Sequence, residues 1–147
     1  MIVTSNQTIH ATAVLVGARA LLIRGASGSG KTTLALRLIA ASEQGLLPFA
    51  RLVADDRVYL DVAGDRLIAR VPEPIAGMIE VRGEGIRHIP YEQCAVVGWV
   101  TDLASPDAER MPETTITAEI SGIRLPRYAF PSCADPLPVL LAALRVA

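Results

Sequence analysis

Lysine is almost absent from this chain. Of its fourteen Lys and Arg residues only Lys31 is a lysine, and the rest of the positive charge is arginine. There is no basic excess either: fifteen acidic residues leave a formal net charge of −1. Non-specific nucleic-acid binding needs clustered Lys and Arg, so that class is excluded. Cysteine is limited to Cys94 and Cys133, which form no C-x-x-C pair, and His10 and His88 add no ligand cluster. No zinc site is expected, and isolated thiols fit a reducing cytosol. Met1 to Thr8 has no basic stretch leading into an apolar core, so no secretory leader is expected. The longest apolar runs fall far short of the ~20 residues that cross a bilayer. These absences predict a cytoplasmic protein with no membrane partner. What is present is a folding composition, 51% hydrophobic and 20% charged over 147 residues, enough for one domain with a core.

The lone lysine sits in Gly25-Ala26-Ser27-Gly28-Ser29-Gly30-Lys31-Thr32, which fits the Walker A pattern G-x-x-x-x-G-K-[ST] at every fixed position. An apolar strand candidate, Ala20 to Arg24, precedes it, and a strong helix former from about Lys31 to Glu43 follows. In that context the glycines let successive N–H groups turn toward one anion. The helix start adds unpaired N–H groups and a positive dipole end. Lys31 can neutralise outer phosphates and the Thr32 hydroxyl can hold Mg²⁺.

The flanking pattern predicts a mixed α/β sheet. His10 to Val16 and Ala20 to Arg24 read as strands joined so briefly that they must pair antiparallel. The helix places Leu34, Ala35, Leu38, Ile39 and Ala41 on one apolar side. Arg51 to Ala54 reads as a short strand running into Asp55-Asp56. Val58 to Val62 and Leu67 to Val71 read as a hairpin turning near Gly64. Ile75 to Ile89 is punctuated by glycine and predicts a shaped loop. Ala95 to Val100, Thr114 to Ile120 and Ile123 to Pro126 read as strands. Leu103 to Glu113 reads as an exposed loop, and Pro136 to Ala147 as a closing apolar helix.

Phosphoryl transfer needs a carboxylate near Mg²⁺ and often a base for the attacking hydroxyl. Asp55 and Asp56, at a strand end, can supply both, and as adjacent strand residues they should face opposite ways and differ in role. Glu80 and Glu84 are the next acidic candidates; one glutamate beside Thr32 would suffice as a metal ligand, and the spacing reads equally well as a solvated loop. His10, taken alone, reads more readily as structural. Arg82, Arg87, Arg110, Arg124 and Arg127 could each clamp phosphate, and composition does not choose among them.

Three ordered motifs together resemble one family. His10 stands in a strand fifteen positions before Gly25, Val53-Ala54-Asp55-Asp56 follows the loop helix, and Glu80-Val81-Arg82-Gly83-Glu84-Gly85-Ile86 follows that. The sequence resembles the catalytic domain of HPr kinase/phosphorylase from roughly His10 to Pro126. That resemblance implies a single kinase catalytic domain over residues 1–147, with a mixed-sheet fold like that of phosphoenolpyruvate carboxykinase. It implies ATP and Mg²⁺, a serine of the phosphocarrier protein HPr as acceptor, and regulation of the phosphotransferase system. Many members also run the reverse phosphorolysis. By position, Asp56 would be the base, Lys31 would hold phosphates, Thr32 and Glu80 would bind Mg²⁺, and His10 would assist. Arg110 best matches an arginine that the family carries in a mobile loop. A homo-oligomer, a hexamer in the family, is expected. Ala26 and Thr33 stand where the family commonly has glutamate, and Pro126 to Pro131 replaces its Gly-Arg-Asn stretch. The family's N-terminal domain has no counterpart, so a short form is expected. A small-molecule kinase and a non-catalytic phosphate-sensing module are the alternatives. The Glu80–Ile86 signature weighs against the first, and the intact Lys31, Thr32, Asp56 and Glu80 against the second.

Overall fold

Short apolar stretches broken by glycine turns become strands in the computed structural model, which describes residues 1–110 and 117–145. In chain order the elements are β1 (Ile2–Val3), β2 (Ala11–Val16), β3 (Arg19–Arg24), α1 (Lys31–Glu43), β4 (Ala50–Ala54), β5 (Tyr59–Ala63), β6 (Arg66–Arg70), β7 (Met78–Val81), β8 (Gly85–His88), β9 (Cys94–Asp102), α2 (Pro106–Arg110), β10 (Thr117–Ile120), β11 (Ile123–Ala129) and α3 (Leu137–Leu144).

The sheet is mixed. Its order is β1-β5-β6-β9-β3-β2-β4, with β11 added on β9 and β10 on β11. β2 and β3 pair antiparallel from Val16↔Arg19 to Ala11↔Arg24, as the Gly17-Ala18 connection requires. Gly17 takes φ 65°, the left-handed conformation that a two-residue turn demands. β9 is the pivot. Its first three residues pair antiparallel with β6, and its last three run parallel to both β3 and β11. Three parallel strands therefore end together at Arg24, Asp102 and Ala129. Ligand sites of α/β sheets gather at such carboxyl ends.

Both faces of the sheet are covered. On one, α1 buries Leu34, Ala35, Leu38 and Ala41 against Val14, Leu21, Ile23 and Leu52, with α3 adding Leu140 and Leu144. On the other, Ala11, Leu22, Val53, Val58, Leu67, Val97 and Leu125 form a second core. Truncating Leu38, which is fully buried, to Ala would cost about 2–5 kcal/mol.

Two expectations are corrected. The glycine-punctuated segment is a β-hairpin, not an irregular loop. β7 and β8 pair from Met78↔His88 to Val81↔Gly85. Ile79 enters the core while Glu80 faces out, a strand alternation that Gly83 and Gly85, at φ 86° and 87°, close into a turn. Likewise 103–110 is not an exposed loop. Leu103, Ser105 and Ala108 are buried, and the segment forms the short helix α2. Residues 114–116 of the expected Thr114 to Ile120 strand lie outside the described residues; its remainder is β10.

Candidate active site

The chain leaves β3 at Arg24, turns through Gly25–Gly30 and enters α1 at Lys31. Gly30, at φ 100°, caps the helix, and Leu34 N–H donates to its carbonyl at 2.9 Å. A Cβ at Gly25 would run into Ser29 Oγ, so the loop closes only on glycine there. Lys31 is folded back. Only 6% of it is exposed, and its Nζ donates to the Gly25 and Ala26 carbonyls at 2.8 and 3.2 Å.

Asp55 and Asp56 differ in environment, though not by strand alternation, since both lie past the end of β4. Asp56 takes φ 72°, a left-handed conformation that aspartate tolerates better than most residues. Its backbone is pinned on both sides. Its N–H donates to Thr12 Oγ1 at 3.1 Å, and its carbonyl accepts from Ala11 N–H at 3.2 Å. That turn sends Asp56 out into the cleft and Asp55 inward. Asp55 is 8% exposed, and its Oδ1 accepts from Thr32 Oγ1 at 2.8 Å and Thr12 Oγ1 at 3.0 Å. The Glu80 N–H approaches its Oδ2 at 3.4 Å.

His10 stands between the lysine and the outer aspartate. Its Nε2 is 3.2 Å from Lys31 Nζ and 3.3 Å from Asp56 Oδ1. One ring nitrogen lies within reach of both neighbours. Which of the two it bonds depends on the tautomer: a bare nitrogen accepts from the ammonium, and an N–H donates to the carboxylate. Below them opens a cleft of about 650 Å³, lined by the glycine loop, Lys31, Thr32, Asp56, and Glu80 and Arg82 of the hairpin.

The site residues read from the sequence thus fall around one cleft, with one exception. Ser27, Gly28, Gly30, Lys31, Thr32, Asp56 and Glu80 line it, Gly25, Ala26 and His10 reach it through Lys31, and Ser29 lines the cavity on the other side of the loop. Arg110 is the last residue of α2, and its side chain lies outside the described residues. Thr12 was missed. Its only sequence signal is a hydroxyl inside the otherwise apolar Ala11–Val16, yet it is fully buried and orients both aspartates. Asp55 was grouped with its neighbour rather than recognised as the partner of the Thr32 hydroxyl.

The donor chemistry fits Mg²⁺. The Thr32 hydroxyl and Asp55 carboxylate already meet at the helix start, and Glu80 lines the same cleft. These are hard oxygen donors, few in number, which suits an ion that keeps waters and shares phosphate oxygens.

The opposite flank carries a second charged cluster. Asp102, opposite Arg24 in the β3–β9 register, accepts from Arg24 Nε and Nη2 at 2.7 and 2.9 Å and from Arg127 Nε. Arg127 also donates to both oxygens of Asp107 at 2.9 and 3.0 Å and to Ser105 Oγ at 3.1 Å. Ser105 Oγ in turn donates to Asp107. Burial pushes the Asp102 carboxyl up, but the hydrogen bonds from Arg24 and Arg127 outweigh it and hold it below the usual carboxylate range. Asp107 is held well below that range, chiefly by Arg127 and then by Ser105.

A mixed α/β sheet thus carries a glycine loop between β3 and α1, with a buried aspartate on the hydroxyl at the helix start. Residues 2–92 match the family described as HPr Serine kinase C-terminal domain. An HPr kinase/phosphorylase from Clostridium acetobutylicum is 39% identical over 82 residues, 56% of this chain and 25% of that protein. One from Xylella fastidiosa is 34% identical over 91 residues, covering 61% and 27%. The solved Hpr(Ser) kinase/phosphatase from Coxiella burnetii superposes with a TM-score of 0.73 at 30% identity, over 95% of this chain and 93% of that one. The chain belongs to the HPr serine kinase C-terminal domain family. Its matches span about a quarter of the length of those curated relatives. No helix among the described residues is long and apolar enough to cross a membrane.

Proposed function

We propose that this chain is a kinase catalytic domain that transfers the γ-phosphoryl group of ATP to a serine of an HPr-type phosphocarrier protein. The observation that carries the proposal is the placement of Asp56, turned into the cleft beside His10 and across from the glycine loop. The serine oxygen attacks Pγ, the new O–P bond forms as the bond to the β-phosphate oxygen breaks, and ADP leaves. Asp56 takes the serine proton. His10 steadies that carboxylate, and Lys31 exchanges its loop carbonyls for phosphate oxygens, stabilising the charge that gathers on them. Held by Thr32, Asp55 and Glu80, Mg²⁺ would supply charge neutralisation for the polyphosphate. In the reverse direction a protonated Asp56 would return the proton to the serine during phosphorolysis. Thr12 acts only through the aspartates it orients. The same reading places the protein in the cytoplasm as a homo-oligomer, a hexamer by its resemblance, acting in regulation of the phosphotransferase system.

The test is transfer from labelled ATP with Mg²⁺ to purified HPr, with the HPr serine replaced by Ala as control. Serine-dependent labelling is the expected result, and added phosphate then tests reversal. ATP binding without labelling would move the assignment to a small-molecule kinase or a sensing module.

A further inference from the structure

Arg82, Arg87, Arg110, Arg124 and Arg127 all carry the chemistry of a phosphate clamp, and the structure chooses among them. Arg127 is committed to Asp102, Asp107 and Ser105. Arg87, on β8, pairs with Glu84 at 3.7 Å. Arg124 stands opposite Glu119 in the β10–β11 register and lines neither cavity beside the glycine loop. The Arg110 side chain lies outside the described residues. Arg82 is left. It lines the cleft, and its guanidinium has no hydrogen-bond or ion-pair partner among the described residues.

The hairpin turn sets its place. Glu84 N–H donates to the Val81 carbonyl at 2.9 Å, so Arg82 and Gly83 are the central residues of the turn between β7 and β8. That tip forms one wall of the cleft, and Ser27, Gly28 and Gly30 of the glycine loop form another. The cleft's other cation, Lys31, comes from the loop side and leans on the Gly25 and Ala26 carbonyls. A phosphoryl group seated on the loop therefore has its inner oxygens met by loop amides and Lys31. Its outer oxygens face the hairpin, where Glu80 and Arg82 stand, and of these side chains only Arg82 donates. A guanidinium is a planar fork that grips two such oxygens at once.

From this placement we propose that Arg82 is a catalytic arginine that grips the terminal phosphoryl group from the hairpin side and so distinguishes a triphosphate from a diphosphate. It moves no proton. It stabilises the charge that spreads over the phosphoryl oxygens while the bond to the β-phosphate oxygen breaks and the bond to the serine oxygen forms. The inference rests on the kinase reading and deepens it.

The test compares ADP with the non-hydrolysable β,γ-imido analogue of ATP, each with Mg²⁺, by titration calorimetry of the full chain. Arg82→Ala, at an exposed position, should weaken the analogue about 10-fold, the worth of a hydrogen bond to a charged group, and leave ADP affinity and the thermal midpoint unchanged. Arg124→Ala, also exposed, should alter neither ligand. In transfer to HPr, the kcat of Arg82→Ala should fall about 10³-fold, the low end for an arginine on a transferring phosphoryl group. Arg82→Lys should recover only part of that rate, because it lacks the planar fork. Equal losses for ADP and the analogue, or no loss for either, would overturn the assignment. If neither nucleotide binds the unaltered protein, the nucleotide reading of the glycine loop fails and takes this inference with it. Arg82-dependent binding of the analogue without labelling of HPr would sink the acceptor assignment and leave Arg82 on the terminal phosphate.

Discussion

On one flank of the glycine loop the Asp55 carboxylate accepts from two threonine hydroxyls and faces the Glu80 amide, and the Asp56 carboxylate faces a histidine. On the other flank Asp102 and Asp107 are held by arginines. Both clusters lie next to the glycine loop. A carboxylate gripped by guanidinium spends its lone pairs on fixed charge-assisted bonds. A carboxylate gripped by hydroxyls and amides keeps room for a cation or a proton. The first arrangement suits holding β3, β9, α2 and β11 together, and the second suits chemistry.

The sharpest way to break this comparison is Asp56→Asn. On the proposed kinase reading, transfer to HPr should fall about 10²–10⁴-fold, the usual contribution of a positioned base, with ATP affinity and thermal midpoint unchanged. An unaltered rate would remove Asp56 from the chemistry. Next is Arg127→Met, which strips one partner from the largely buried Asp102 and a bidentate partner from Asp107. Stability read from urea midpoints should drop by roughly 3 kcal/mol, the low end for breaking a buried pair, because Arg24 remains. ATP affinity measured well below the new midpoint should change little.

Thr12→Val should cost about 1–3 kcal/mol, since it leaves the Asp56 amide without its acceptor. It should slow transfer as well, and Thr12→Ser should restore both. Recovery of stability without recovery of rate would show that Thr12 packs rather than positions.

The smallest effect concerns acid. Asp61, Asp102 and Asp107 have carboxyls held below their ordinary value: Asp61 and Asp107 mainly by arginine hydrogen bonds, Asp102 by arginines that outweigh its burial. A lowered folded value means stability that is complete above the unfolded value of about 3.9. That stability is lost as pH falls below it, because the unfolded chain then binds protons first. Urea midpoints should decline between about pH 4 and pH 2, and the decline should be shallower in Arg127→Met. An unchanged slope would detach the arginine flank from acid stability.

Legibility along the chain follows the same division. α1 was readable over its full length, Lys31–Glu43, because the apolar stripe, the glycine loop and the following Gly45 are all local signals. The β2–β3 hairpin was readable from a two-residue turn. The 75–89 segment was misread because its glycines form a hairpin turn, and the pairing partner that makes Met78–Val81 a strand lies across that turn. The 103–110 segment was misread because its polar residues looked solvated. Ser105 and Asp107 are instead engaged by Arg127, about twenty positions further on.

The chain alone determined the phosphate loop, its helix, the antiparallel partner before it, the Asp55-Asp56 pair and the family resemblance. Each of these is written in contiguous residues whose backbone preferences and hydrogen bonds are short-range. Tertiary structure alone decided which aspartate faces inward, that Thr12 orients both, that Arg24, Asp102 and Arg127 form one cluster, and that a second chamber backs the loop. Those outcomes depend on strand register and on chain crossing from one element to another. Burial then forces charges to find partners that are remote in sequence, and no local pattern records which partner each will meet.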